Sequence, residues 1–244
     1  MNLAPPPIAG ATDWALFLDI DGTLLDLADT PQGVLVPPEL PGLLQTLTQR
    51  LNGALALVSG RPLSDIDRFF SQCGDAAGTH GTQWRRGGME QPSAPVDETG
   101  LAAAAKFIAV HCSRLPGLLL ERKPHALALH YRQALARQQE AWTLARQVVQ
   151  TLGPTFRLQP GKGVIEILPT LAGKGNAIRR FMKLPPYLGR CPVFVGDDLT
   201  DEDGFAAVNA LGGWSIRVGN GAETQARFRL SSPTAVRDWL AGLV

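Results

Sequence analysis

The sequence predicts an α/β fold, a parallel-sheet core interrupted by a smaller inserted α+β unit. Three observations carry this. Short apolar runs of strand length alternate with stretches of helical periodicity through the first part of the chain. Over 84–96 the character changes to polar residues broken by Gly87, Gly88, Pro92 and Pro95. After Pro169 the first pattern returns.

The elements follow in order. Trp14 to Leu18 is wholly apolar and reads as a buried strand. Leu40, Leu43, Leu44, Leu47 and Leu51 recur at helical spacing, which predicts a helix from Leu40 to Leu51. Leu55 to Val58 is a second strand. Pro62 to Phe70 is a second helix, with Pro62 at a start where its missing N–H costs nothing. Ala76 to Thr79 is a short third strand, and Trp84 to Val96 is a crossing linker. The insert then comprises a helix from Glu98 to Arg114, a strand from Leu127 to Tyr131, a long helix from Ala134 to Leu152 and a strand from Val164 to Leu168. In the returning half, Lys174 to Met182 and Asp203 to Leu211 are helices, while Val193 to Val195 and Trp214 to Val218 are strands. Ser232 and Pro233 form the cap and first turn of a last helix leading to Leu243. The expected boundaries are 1–83 and 170–244 for the core, and 84–169 for the insert.

With 244 residues and 45% hydrophobic composition, the chain can bury a normal core. A net charge of +1 speaks against a nucleic-acid or membrane-surface protein. No apolar stretch is long enough to span a bilayer. Met1 to Ala11 predicts no signal peptide, and Pro5-Pro6-Pro7 predicts a short disordered leader. Cys73, Cys112 and Cys191 are far apart and odd in number, which fits a reducing, cytoplasmic setting better than a disulfide framework.

Four sites sit at expected strand ends or helix starts of the core. The first is Asp19-Ile20-Asp21-Gly22-Thr23, directly after the first strand. Open α/β sheets bind ligands at such places. Two carboxylates this close repel unless a cation or shared proton compensates, and a cation there would also draw in a phosphate. Asp19, ionised at neutral pH, suits nucleophilic attack on phosphorus without a base. Asp21 suits protonating a departing oxygen and then taking a proton from water. The second site is Ser59-Gly60-Arg61, whose hydroxyl and turn N–H groups can hold phosphate oxygens. The third is Lys174 between Gly173 and Gly175, able to neutralise transition-state charge. It is no P-loop, because the required glycine spacing and Ser/Thr are missing. The fourth is the acidic run Gly196 to Asp203, in which Asp197 offers a further hard oxygen ligand. Taken singly, Asp-Gly-Thr is ordinary turn chemistry, Ser59 an ordinary cap before Pro62, and Glu202 with Asp203 ordinary charge at a helix N-terminus. The four together, in this order, are hard to explain as turns.

These four sites resemble the motifs of the haloacid dehalogenase (HAD) superfamily. Further segments resemble trehalose-6-phosphate phosphatases: Val58-Ser59-Gly60-Arg61-Pro62, Gly78-Thr79-His80-Gly81, Leu129-His130-Tyr131-Arg132, Gly161-Lys162-Gly163-Val164-Ile165-Glu166-Ile167 and Gly196-Asp197-Asp198-Leu199-Thr200-Asp201-Glu202. The likeness runs from about Trp14 to Leu240. It implies a Rossmann-like core with a C2-type cap and a Mg²⁺-dependent phosphatase working through an aspartyl-phosphate. Asp19 would then be nucleophile and metal ligand, and Asp21 the general acid/base with its main-chain carbonyl on the metal. Asp197 would be a third ligand, with Asp201 supporting the metal's water shell. Ser59 and Lys174 would bind the phosphoryl group. Gly22, Thr23, Gly60, Arg61, His80 and Gly81 would line the substrate site, with Lys123, Lys162 and Glu166 taking the distal glucose from the cap. The family commonly has an acidic residue shortly after the His-Gly pair, and here Gln83 stands there. Independently of any likeness, Glu166 lies between Ile165 and Ile167 on an expected strand and so faces away from the apolar side.

The expected substrate is therefore trehalose 6-phosphate, a phosphorylated disaccharide, handled by a cytoplasmic monomer that can associate with a trehalose-6-phosphate synthase. Two alternatives stand beside it: a phosphatase of the same superfamily for another phosphosugar, such as sucrose 6-phosphate or mannosyl-3-phosphoglycerate, and a non-enzymatic sugar-phosphate sensor. Retention of Asp19, Asp21, Ser59, Lys174 and Asp197 together speaks against the sensor.

Overall fold

The computed structural model describes residues 11–28, 33–70, 74–91, 96–161, 163–221 and 223–244. Pro5-Pro6-Pro7, Cys73, Pro92, Pro95 and Lys162 lie outside them. The chain divides into two units, Met1–Pro92 with Gly173–Val244, and Ser93–Ala172.

The first unit begins with Trp14–Leu18 (β1), Leu40–Arg50 (α1), Leu55–Val58 (β2), Leu63–Phe69 (α2), Asp75–Gly78 (β3), Gln83–Arg86 (β4) and Met89–Glu90 (β5). The second unit comprises Glu98–Cys112 (α3), Leu119–Lys123 (β6), Ala126–His130 (β7), Gln138–Leu152 (α4), Phe156–Gly161 (β8) and Val164–Pro169 (β9). The first unit resumes with Lys174–Phe181 (α5), Cys191–Gly196 (β10), Glu202–Ala210 (α6), Trp214–Val218 (β11), Phe228–Leu230 (β12) and Pro233–Ala241 (α7).

The first unit's sheet has eight strands in the order β12-β11-β10-β1-β2-β3-β4-β5. It is parallel from β12 to β3, and β4 and β5 add antiparallel. Every residue of β1 and β2 is buried, as strands covered on both faces require. The chain runs outward from β1 through β2 and β3, then returns on the other side of β1 at β10. That reversal is the topological switch point where such sheets bind ligands. Ser232 caps α7 by accepting from the Ala235 N–H, and Pro233 occupies its first turn.

The core continues past the boundary expected after residue 83. Polar residues and glycines over 84–91 read as linker, but Gln83–Arg86 pairs with β3. There Trp84 packs edge-on against Phe181, and Arg85 pairs with Asp67 at 2.6 Å. The division falls after 92, and again after 172 rather than 169.

The second unit is a four-stranded antiparallel sheet in the order β6-β7-β9-β8. Alternate residues Leu127, Leu129, Ile165 and Ile167 share a core with Leu101, Ala105 and Ile108 of α3 and Leu144 and Val148 of α4. The sheet has two strands more than the sequence suggested. β6 and β8 are its edges, which tolerate the charges of Leu-Leu-Glu-Arg-Lys and the Pro160-Gly161 pair. Among the described residues no helix is long and apolar enough to cross a membrane, and Cys112 and Cys191 are free thiols.

Candidate active site

Strand register brings three of the expected sites together. Leu18 pairs with Val195 on one side and Leu57 on the other. The strand ends therefore present Asp19, Asp197 and Ser59 from adjacent strands within about one residue of each other in register. Asp19 donates its main-chain N–H to the Val195 carbonyl at 3.0 Å, which holds the ends of β1 and β10 level. Beyond Asp19 the chain turns about buried Ile20, whose carbonyl accepts from the N–H groups of Thr23, Leu24 and Leu25. Gly22 carries a φ of 76°, and any side chain on it would drive into the Asp197 carboxylate.

Lys174 opens α5 and is 3% exposed. Its ammonium lies 2.7 Å from Asp19 Oδ1 and 2.5 Å from Asp201 Oδ1. The other oxygen of Asp201 accepts from the main-chain N–H groups of Asp197 and Asp198, both at 2.9 Å. Asp201 is fully buried and also joins a reciprocal cap with Asp198. Burial alone would depress the Lys174 pKa, but the Asp19 and Asp201 carboxylates outweigh it and hold the ammonium above the usual lysine range. Burial pushes the Asp19 carboxyl well up; Lys174 opposes this, and the Asp201 and Asp197 charges reinforce it.

Asp19, Asp197 and Asp201 each offer an oxygen within 4.8 Å of the others. Three carboxylates face one ammonium, so the cluster is short of positive charge, and every donor is a hard oxygen. That donor set fits a hard divalent cation.

The remaining expected residues surround this centre. Thr23 is fully buried, its hydroxyl 3.4 Å from Asp19 Oδ2, which is long for a hydrogen bond. Ser59 is buried and accepts from the Arg61 N–H through its hydroxyl oxygen at 3.2 Å. Arg61 grips both oxygens of Asp21. Gly60 has the ring of buried His80 against it, 2.8 Å from where a Cβ would stand. His80 takes a left-handed φ of 52°, donates its main-chain N–H to the Ser59 carbonyl at 3.0 Å and accepts from the Gly173 N–H at 2.6 Å. It thereby ties the Ser59 loop to the start of α5. Gly81, at φ 88°, lies against Ala177 and the Gly173 carbonyl. Gln83 accepts from the Leu63 N–H and the Thr79 hydroxyl, both at 3.2 Å, so an uncharged side chain serves at that position as a helix-start acceptor.

Glu202 and Asp203 do more than decorate a helix start. Glu202 pairs with Arg217 at 2.9 Å and accepts from the Gln225 N–H, and Asp203 accepts from the Gly175 N–H at 3.2 Å. No sequence signal distinguishes these anchors from ordinary first-turn charges.

In the second unit, Lys123 on β6 reaches across β7 to Glu166 on β9, with Nζ 2.6 Å from Oε1. Glu121 and His130 form a second pair at 2.8 Å, whose hydrogen bond holds the Glu121 carboxyl below its usual range. Glu121, Lys123, His130 and Glu166 occupy the sheet face opposite the α3/α4 core.

The model of the trehalose-phosphatase family matches residues 17–234. The chain belongs to the trehalose-phosphatase family. A probable trehalose-phosphate phosphatase of Sinorhizobium fredii is 44% identical over 95% of this chain and 88% of its own. The trehalose-6-phosphate phosphatase of Escherichia coli is 42% identical over 93% and 85%. The C-terminal domain of Candida albicans trehalose-6-phosphate phosphatase superposes with a TM-score of 0.83 over 99% of this chain and 97% of that one, at 20% identity. Fold and membership of the trehalose-phosphatase family thus agree with the strand-end carboxylates found here.

Proposed function

We propose that this chain hydrolyses trehalose 6-phosphate to trehalose and inorganic phosphate, with Mg²⁺ as cofactor. The observation that carries the proposal is the Asp19–Lys174–Asp201 contact beside Asp197, at the switch point of a chain in the trehalose-phosphatase family.

Asp19 is the nucleophile. One of its carboxylate oxygens attacks phosphorus, the phosphorus–sugar oxygen bond breaks, and the Asp21 carboxyl gives its proton to the departing alkoxide. Water then attacks the phosphorus of the acyl phosphate and Asp21 takes its proton. The bond from phosphorus to Asp19 breaks, releasing phosphate and restoring the carboxylate. Lys174 keeps Asp19 oriented and offsets charge on the phosphoryl oxygens. Ser59 and the N–H groups of its loop hold those oxygens. Asp19, Asp197 and the main-chain carbonyl of Asp21 would hold a Mg²⁺ ion, with Asp201 supporting its water shell; when bound, the cation would offset the repulsion between nucleophile and phosphate dianion. We assign sugar recognition to the second unit, where Lys123 and Glu166 present a fixed donor and acceptor for hydroxyls; Lys162 is assigned there from the sequence. The free thiols of Cys112 and Cys191 suit a reducing, cytoplasmic setting, in which a trehalose-6-phosphate synthase would supply the substrate.

The test is phosphate release with Mg²⁺ across trehalose 6-phosphate, sucrose 6-phosphate, glucose 6-phosphate and mannosyl-3-phosphoglycerate. A kcat/KM at least about a hundredfold higher for trehalose 6-phosphate, roughly 2.7 kcal/mol of discrimination, is expected. A flat profile overturns the substrate while leaving the chemistry.

A further inference from the structure

We propose that Arg61 is a positioning residue for the proton carrier Asp21, not the substrate-binding cation that the sequence suggested. The inference rests on the phosphatase reading above, in which Asp21 moves the proton in both half-reactions.

The contact is bidentate. Arg61 Nε donates to Asp21 Oδ2 at 2.7 Å and Nη2 donates to Oδ1 at 2.6 Å. Two parallel bonds from a planar fork fix the plane of a carboxylate as well as its place, which a single contact does not. The fork is itself held. The Arg61 side chain is only 8% exposed, its guanidinium lies 4.8 Å from the Phe69 ring centre, and Nη1 is 3.8 Å from Asp65. Its main-chain N–H is anchored on the Ser59 hydroxyl.

Asp21, by contrast, keeps 31% of its side chain exposed. It is clamped on one side and open on the other. A carboxylate offers about four lone-pair positions, and the clamp occupies one on each oxygen. The remaining positions can exchange a proton with a leaving alkoxide or an attacking water. Asp21 sits in a turn whose main chain is anchored through Ile20, so the clamp defines where its carboxyl group points. Misorienting a reacting group by about an ångström costs on the order of a hundredfold in rate. A cation that merely bound phosphate would work for any phosphate monoester alike. A residue that aims the proton matters most where the leaving group needs one.

The experiment measures the single-turnover phosphorylation rate with two monoesters, on the wild type, Arg61→Lys, Asp21→Asn and the double variant. The alkoxide of trehalose 6-phosphate needs a proton on departure; the nitrophenolate of p-nitrophenyl phosphate does not. Lysine keeps the charge but not the fork. The expected result is that Arg61→Lys slows the sugar ester about a hundredfold, and at least about tenfold more than the aryl ester. The double variant should then be within about threefold of Asp21→Asn alone, because Arg61 acts through Asp21. Equal slowing of both esters, or a double variant slower by the full Arg61→Lys factor, overturns the proposal. If Arg61→Lys does not fold, Arg61→Gln is read by the same criteria. A wild type that hydrolyses no monoester removes the phosphatase reading itself, whereas the wrong pattern in an active wild type removes this inference alone.

Discussion

Asp75 shows what a single buried carboxylate costs this fold. It opens β3, is 7% exposed, and accepts from the Tyr187 hydroxyl at 2.8 Å and the Gly87 N–H at 2.7 Å. Burial raises its pKa above the ordinary 3.8; the two hydrogen bonds and Arg86 and Arg85 only partly oppose this. The folded state therefore binds this proton more tightly than the unfolded chain does. The resulting stabilisation is complete below the unfolded value and is lost as pH rises through the raised folded value. Burial thus disfavours the charged form of Asp75 relative to the neutral one. Asparagine can accept from Gly87 and donate to Tyr187, whose own proton turns to the Leu55 carbonyl at 3.0 Å. Asp75→Asn should raise stability at pH 7 by on the order of 1 kcal/mol, with the gain shrinking toward pH 4. Urea midpoints at the two values check this, and a less stable variant at pH 7 contradicts it. At this scale Asp19 and Asp197 were legible because each directly follows an apolar strand. The Asp21–Arg61 clamp was not, because it joins residues 40 positions apart through the placing of two loops that no local pattern encodes.

At the scale of elements, the loop after β2 depends on the absence of a side chain at Gly60. A Cβ there would stand 2.8 Å from two atoms of the His80 ring, and His80 already spends a left-handed conformation on bridging Ser59 to Gly173. Gly60→Ala should cost roughly 1–3 kcal/mol of stability and lower kcat, since Ser59 and the start of α5 would shift together. Denaturation midpoints and kcat test this; an alanine variant equal to the wild type in both refutes the bridge. The central strands were readable because their residues are all apolar, and α4 because its buried positions recur at helical spacing. The strands missed were β4, β5, β6, β8 and β12, each polar, short or carrying Pro and Gly. β5, β6, β8 and β12 are sheet edges and β4 lies one strand in from the edge, and such composition, tolerated there, is also what makes them look like loops.

At the scale of the whole molecule, the proposed labour is divided between two units. Chemistry belongs to carboxylates that the parallel sheet gathers at its switch point. Discrimination is assigned to the Lys123–Glu166 and Glu121–His130 pairs on the sheet face opposite the second unit's core. The order core, insert, core was legible from the change and return of pattern. The crossing point was not, because β4 and β5 continue the core sheet in residues as polar as a linker. The measurement that tests this division most directly compares kcat/KM for trehalose 6-phosphate and p-nitrophenyl phosphate in the wild type, Asp19→Asn and Glu166→Gln. The account predicts no turnover of either ester by Asp19→Asn. It predicts a loss of about a hundredfold on the sugar ester alone for Glu166→Gln, with the aryl ester changed by less than about threefold. Persistent turnover by Asp19→Asn, or equal losses on both esters for Glu166→Gln, would contradict it.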